Sequence, residues 1–226
     1  SYKVTIIYSI VATVLGVVVM AMLAYPLSRP NYKYKKIATF FIFFTMLFSG
    51  GLVPTYIWIT RYLHLGDTIW VYILPCLVNA FHVIVIRSFF QGLPQALMES
   101  AKIDGASELQ TFFKIVMPLS KPVIATISLL TLLSRWNDWN TALIYIKSSN
   151  LYSLQYLLQK ILREAEFVKN MAESSPVAGV DLDLSNLPSV TIRFAMCMVA
   201  AGPMLIIFPF FQKYFAKGLT VGAVKG

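Results

Sequence analysis

Leu93 to Pro122 reads LPQALMESAKIDGASELQTFFKIVMPLSKP, and the fold is decided on this stretch. Pro94 opens a helix at a position where its missing N–H does no harm. Leu97, Met98 and Ala101 then gather on one face. Asp104 and Gly105 break that helix, and Asp104 is placed to cap the next one. In the second helix Ala106, Leu109, Phe113 and Val116 share a side, with Phe112 adjacent. Ser107, Glu108, Gln110, Thr111 and Lys114 face elsewhere, and Pro118 ends the run. The expectation is a compact amphipathic helix–turn–helix.

Long apolar runs flank it. Val4–Ser28 and Ile37–Thr60 carry no charge, Thr68–Ile86 carries only His82, and Phe194–Phe211 is again uncharged. Each is near or above the roughly 18–20 residues that cross a hydrocarbon core. Pro122–Ser134 is too short alone and becomes a span only if the helix runs through Arg135–Asn140 to Ile146. The reading is an all-α, polytopic helical membrane protein with five spans at about 4–28, 37–60, 68–88, 122–146 and 189–211. Helices are required because lipid offers the backbone no hydrogen-bond partners. Composition agrees, since 58% of the 226 residues are hydrophobic and only 13% are charged, about half the usual charged share of a soluble domain.

The net charge of +9 sits in the connections. Arg29, Lys33, Lys35 and Lys36 follow the first run. Arg87, Lys102, Lys114 and Lys121 flank or occupy the connector at 90–121, and Lys213, Lys217 and Lys225 lie in the tail. The other side offers Arg61 and an acidic-leaning segment, 147–188. Basic loops stay in the cytoplasm, so residue 1 is expected outside and the C-terminus inside. That distribution excludes nucleic acid as a partner and makes the lipid bilayer the medium. The first run lacks a basic n-region and a cleavage site, so it is not a signal peptide. An outside N-terminus without an initiator Met leads us to expect a sixth span upstream. Cys76 and Cys197 fall inside apolar runs and read as small hydrophobes, not as metal ligands or a disulfide.

The connector resembles the EAA loop of ABC importer permeases, with Glu99, Ala101, Gly105, Ile115 and Pro118 at matching positions. Ser100 and Met117 depart from the pattern by small or volume-conserving changes. Asp104-Gly105-Ala106, AYPLSRP (24–30), TMLFSGGLVPTY (45–56) and GLTVGAVKG (218–226) are similar to the maltose-type sugar permeases, and the resemblance covers nearly the whole chain. It implies one type I ABC importer transmembrane domain over 1–226 in a bacterial inner membrane, importing oligosaccharides. It also implies a second homologous permease, two ATP-binding cassette subunits and an extracytoplasmic solute-binding protein as partners. The connector would couple to an ATPase subunit through Glu99, Ala101, Asp104, Gly105, Ala106, Ile115 and Pro118. ATP and Mg would be bound by partner subunits, with no cofactor on this chain and no catalytic or metal-binding residue. Glu99 would hold the connector by charge-assisted hydrogen bonds, and Gly105 would allow close backbone approach at the turn.

Arg135-Trp136-Asn137-Asp138-Trp139-Asn140 falls about 21 Å into a core of about 30 Å. Arg135 and Asp138, three apart, would neutralise each other. Trp136, Asn137 and Trp139, with Tyr56, are candidates for a sugar path; an interfacial Trp belt around a local ion pair is the alternative. His82 reads as an interhelical hydrogen bond before a proton relay. Gly50, Gly51 and Pro54 interrupt the second span. Leu151, Leu154, Leu158, Ile161, Ala165 and Val168 have helical spacing, so an external amphipathic helix is expected, either seating a binding protein or packing at the interface. A loop follows to Pro188.

Two other functions fit less well. An intramembrane enzyme needs paired acids, a Ser/His set or a metal motif, and an ion-coupled secondary transporter usually shows internal repeats. The sequence offers neither, and it has no Walker A segment.

Overall fold

A computed structural model describes residues 1–174, 195–196 and 198–209. The tail after 209, the loop at 175–188 and Cys197 lie outside the described residues, as do both ends of the span expected at 189–211.

Helix α1, Tyr2–Ser28, is continuous and apolar. At 1.5 Å per residue its 27 residues reach about 40 Å, enough to cross a bilayer. One face is buried along its length by Tyr8, Ala12, Val17, Met20, Ala21 and Ala24, while Ile6, Ile7, Ile10 and Val14 are exposed.

The expected spans at 37–60 and 68–88 are bent and that at 122–146 is broken, which corrects the picture of straight helices. The span at 37–60 is α2, Lys35–Leu47, and α3, Leu52–Tyr62, meeting at 112°. Gly51 sits between them at φ +83°, a conformation in which a Cβ is strained. No residue of α2 is buried within the chain. Its Phe40 and Phe44 run on to Phe48 as an exposed aromatic row with centroids 6.3 and 4.6 Å apart.

The span at 68–88 starts as two 3-10 turns, Ile69–Tyr72 and Leu74–Cys76, and continues at 46° as α4, Ala80–Gln91. Asn79 causes the restart, because its Oδ1 accepts the His82 N–H at 3.1 Å and caps α4. Gly16 of α1 lies against this break, and a Cβ there would stand 3.1 Å from the Leu77 carbonyl oxygen.

Helices α5, Gln95–Ile103, and α6, Glu108–Leu119, form the connector, and α6 meets α7, Lys121–Trp136, at 80°. The span expected at 122–146 does not run through: α7 stops at Trp136 and α8, Asn140–Tyr145, begins after a break. Helix α9, Leu154–Ser174, forms where an amphipathic helix is expected. Met198–Pro209 forms an apolar α10. Among the described residues there is no strand.

Two buried clusters share α1. Near its C-terminal end, Met20, Ala24 and Tyr25 pack with Ile86, Phe90 and Phe112. Toward its N-terminal end, Tyr8 and Ala12 pack with Ile59, Tyr72 and Ala142. The Tyr8 and Tyr72 rings stack at 4.4 Å.

Candidate functional site

The connector forms as a helix–turn–helix, with its turn fixed by backbone chemistry. Gly105 adopts φ +78°. Its N–H donates to the Lys102 carbonyl at 3.1 Å, and the Ala106 N–H donates to the Ala101 carbonyl at 2.9 Å. These two bonds are a Schellman motif closing α5, the arrangement that glycine favours. Asp104 therefore ends α5 instead of capping α6. The cap is Ser107, whose Oγ accepts the Gln110 N–H at 3.2 Å while Gln110 Oε1 accepts the Ser107 N–H at 3.0 Å. The Schellman turn uses Gly105 and Ala106 before α6 can start, which displaces the cap from Asp104.

The buried face of α6 is also rotated from the expected one. Thr111, Phe112 and Val116 are buried, whereas Leu109 is 62% and Phe113 52% exposed. A π turn at Phe112–Val116 explains this, because the Met117 N–H reaches back five residues to the Phe112 carbonyl. The wider turn shifts the register that a 3.6-residue period assumes. It also lets the helix continue through Pro118 to Leu119 instead of ending there. Ala106 and Ile115 are half-buried, while Met98 and Ala101 anchor α5 in the core.

The carboxylate holding the turn is Glu108, which the sequence pattern places on the face away from the apolar side. Tyr25 Oη donates to Glu108 Oε2 at 2.7 Å, and Lys102 Nζ lies 3.0 Å from Oε1. Arg29 stands 3.8 Å from Oε2, donates to Tyr25 Oη, and lies 4.5 Å over the Tyr25 ring. The Tyr25 hydrogen bond, followed by that from Lys102, holds the Glu108 carboxyl below its ordinary range. Phe112 packs on the same Tyr25 ring at 5.2 Å. Glu99 is exposed and makes no hydrogen bond or ion pair among the described residues, so it does not brace the connector. It lines a cavity of about 580 Å³ between the end of α1 and the turn, together with Arg29, Lys102 and Leu109. No local pattern points to Tyr25 and Glu108, which are 83 residues apart.

At the other end, the α7–α8 break gathers the polar candidates. Arg135 and Asp138 form the expected i,i+3 pair at 3.6 Å. Asp138 also accepts from the Thr141 N–H at 3.0 Å and the Thr141 hydroxyl at 2.7 Å. This capping explains why the helix stops and restarts. Trp136 is only 3% exposed, and its indole N–H donates to the Ala200 carbonyl at 2.9 Å. It is a packing anchor between α7 and α10, with the Tyr2 ring edge-on at 6.3 Å. Asn137 is exposed and accepts from Gln155 of α9 at 3.4 Å. Trp139 is half-buried, with the Arg163 guanidinium 5.4 Å over its ring. Tyr56 lies apart from these, stacked on Tyr145 at 5.7 Å. His82 meets Thr131 across helices at 3.5 Å. No group of metal-ligating residues occurs among the described residues.

Helix α9 is tied to α1 by a buried bond, Leu154 N–H to Thr5 Oγ1 at 2.8 Å. Helix α1 thus carries a polar joint at each end, Thr5 to α9 and Tyr25 to the connector.

Comparison with known proteins accords with this geometry. The family described as binding-protein-dependent transport system inner membrane component matches residues 5–221. A polygalacturonan/rhamnogalacturonan transport system permease protein of Bacillus subtilis is 39% identical over 232 residues, spanning 100% of this chain and 77% of that protein. An arabinooligosaccharides transport system permease protein of the same organism is 33% identical, over 98% of this chain and 72% of that one. A crystal structure of a bacterial ABC transporter involved in the import of the acidic polysaccharide alginate superposes with a TM-score of 0.77. It shares 29% identity and covers 95% of this chain and 74% of its own.

Proposed function

Because the chain belongs to the family of binding-protein-dependent transport system inner membrane components, we propose that it forms part of the path by which an oligosaccharide enters the cell. A solute-binding protein delivers the sugar, and partner ATPase subunits supply the energy. The chain is a permease subunit and not itself an enzyme. In the proposed assembly residues 1–226 are one transmembrane domain beside a second homologous permease, with two ATP-binding cassette subunits below. ATP and Mg²⁺ are held on those cassettes, and the C-terminus faces the cytoplasm with the basic loops.

The observation that carries this reading is the connector. Its turn is rigidly closed at Gly105, braced to α1 through Glu108, and edged by exposed Leu109 and Phe113. An ordered turn carrying unburied apolar side chains suits a docking surface better than a linker. Glu99, Ala101, Asp104, Gly105, Ala106, Ile115 and Pro118 keep their coupling role here, with Glu99 at the surface to meet a partner. Helix α2, which has no fully buried residue and leaves Phe40, Phe44 and Leu47 exposed, supports a neighbour of lipid or the second permease. On the sugar path, Asn137 and Trp139 are the residues to retain, Trp136 supports them from behind, and Tyr56 stands to one side.

Reconstituting the permease pair, the cassettes and the solute-binding protein in proteoliposomes tests the proposal. Oligosaccharide uptake should require ATP inside or outside according to cassette orientation, and the binding protein should stimulate ATP turnover. Uptake driven by an ion gradient without ATP would refute the reading in favour of a secondary transporter.

A further inference from the structure

Helix α9 brings to the α7–α8 break a set of side chains that neither segment supplies alone. Gln155, Gln159 and Arg163 recur every four residues, so they share one face of the helix. Gln155 bonds Asn137 at 3.4 Å, and Arg163 lies 5.4 Å over Trp139, so this face is turned to the break. Between them is a cavity of about 160 Å³, lined by Trp139, Tyr156, Gln159, Lys160, Arg163 and Glu164 among others. The charges in it are unevenly matched. Lys160 pairs with Glu164 at 3.9 Å, while Arg163 has no carboxylate within ion-pair distance among the described residues. Two cations against one carboxylate in the lining leave a positive excess there, and Arg163 holds its guanidinium carbon 5.4 Å over the Trp139 ring.

We propose that this cleft is a subsite for a carboxylated sugar unit, with Arg163 binding the carboxylate. The inference rests on the permease reading and names the kind of oligosaccharide that passes. A guanidinium held over an aromatic face by cation–π attraction still offers its N–H fork to a carboxylate in a bidentate pair. The contact with Trp139 already restricts the Arg163 side chain, so less freedom is lost on binding. The Gln159 amide and Tyr156 hydroxyl supply both donors and acceptors for ring hydroxyls. A neutral sugar would use those groups but would leave Arg163 unanswered.

The test is a tryptophan-fluorescence titration of the purified permease–cassette complex, without solute-binding protein. The probes are α-1,4-linked trigalacturonate and the neutral trisaccharide made by reducing its carboxyls. The native complex should bind the acidic probe about tenfold more tightly, the factor expected of one charge-assisted pair near solvent. Arg163→Gln should remove that preference while leaving the neutral probe unchanged, and Arg163→Lys should restore part of it. Equal affinity for both probes in the native complex overturns the subsite, as does a preference that survives Arg163→Gln. If Arg163→Gln weakens association of the solute-binding protein and leaves both titrations unmoved, the surface is a protein-docking face and the subsite is again overturned. ATP-driven uptake by the intact transporter separates the two levels: its failure overturns the oligosaccharide reading, whereas a failed titration beside intact uptake overturns the subsite alone.

Discussion

Substituting Gly105 with alanine and, separately, with leucine separates two roles that a single substitution would merge. Gly105 holds φ +78°, which costs an ordinary L-residue about 1–2 kcal/mol. A Cβ built there meets nothing within 4 Å, so the chain itself charges alanine and leucine nearly the same backbone cost. That cost lowers the closed-turn population relative to open forms by roughly 5- to 30-fold in both variants. Any further loss in Gly105→Leu must come from outside the chain, where a partner surface meets the turn. The expectation that a side chain obstructs packing at Gly105 therefore holds only if a partner is docked. The assay is co-purification and titration of the ATP-binding cassettes, followed by binding-protein-stimulated ATP turnover. Gly105→Ala should weaken docking moderately, and Gly105→Asn less, because asparagine tolerates the left-handed region. Gly105→Leu should weaken docking by at least a further tenfold, about 1.4 kcal/mol of steric conflict. Indistinguishable docking and turnover in the alanine and leucine variants would refute the reasoning, leaving Gly105 a helix stop with no partner against it.

Glu108, with its pKa depressed by Tyr25 and Lys102, should stabilise the turn at neutral pH. That contribution should fade as pH falls through the depressed folded value, below the unfolded value near 4.5. With half the side chain exposed, the effect is about 0.5 kcal/mol. Amide exchange in α6, compared at pH 7 and pH 4 after correction for intrinsic rates, should show this loss in the native chain. Glu108→Gln should lack it, and the same acid response in both would count against the brace. Trp136→Ala should cost about 3 kcal/mol or more in packing, seen as a lower melting temperature of the purified complex. Trp136→Phe should cost only about 1 kcal/mol for the lost Ala200 bond; an unaltered melting temperature in Trp136→Ala would return Trp136 to the sugar path. Gly16→Leu should separate α1 from the Leu77 carbonyl, whose oxygen lies 3.1 Å from where a Cβ would stand, and reduce complex yield sharply. Unchanged yield would show that the break gives way to α1 and not the reverse.

Where the determinants are local, the sequence is a reliable guide. The uncharged run of α1, the interruption by Gly50 and Gly51, the glycine at the connector's turn and the Arg135–Asp138 pair each depend on neighbours within a few positions. The features it hides depend on competition or distance. Asp104 and Ser107 are both good caps by residue type, and only the Schellman geometry of Gly105 and Ala106 decides between them. The π turn in α6 is invisible to a 3.6-residue period, which centres the buried face on Leu109 and Phe113 with Phe112 beside it and turns Thr111 away. Asp138 reads as half of an ion pair, and nothing in that spacing reveals the capping of Thr141 that breaks the fourth span. Tyr25 and Glu108 meet through tertiary packing alone. So do Trp139 and Arg163, which is why the candidate site acquires α9 residues only in three dimensions.

Close contact at Gly16 gives α1 the properties of a lever. Its neighbour is backbone, the Leu77 carbonyl, which makes a natural fulcrum. Thr5, joined to α9, lies eleven positions to one side, and Tyr25, joined to Glu108, lies nine to the other. The arms are thus about 16 Å and about 14 Å at 1.5 Å per residue. A tilt of about 10° about Gly16 would carry Tyr25 by about 2 Å and Thr5 by about 3 Å in the opposite sense. With arms so nearly equal, the rod neither amplifies nor diminishes the stroke; a displacement at one face is returned at the other with its direction reversed.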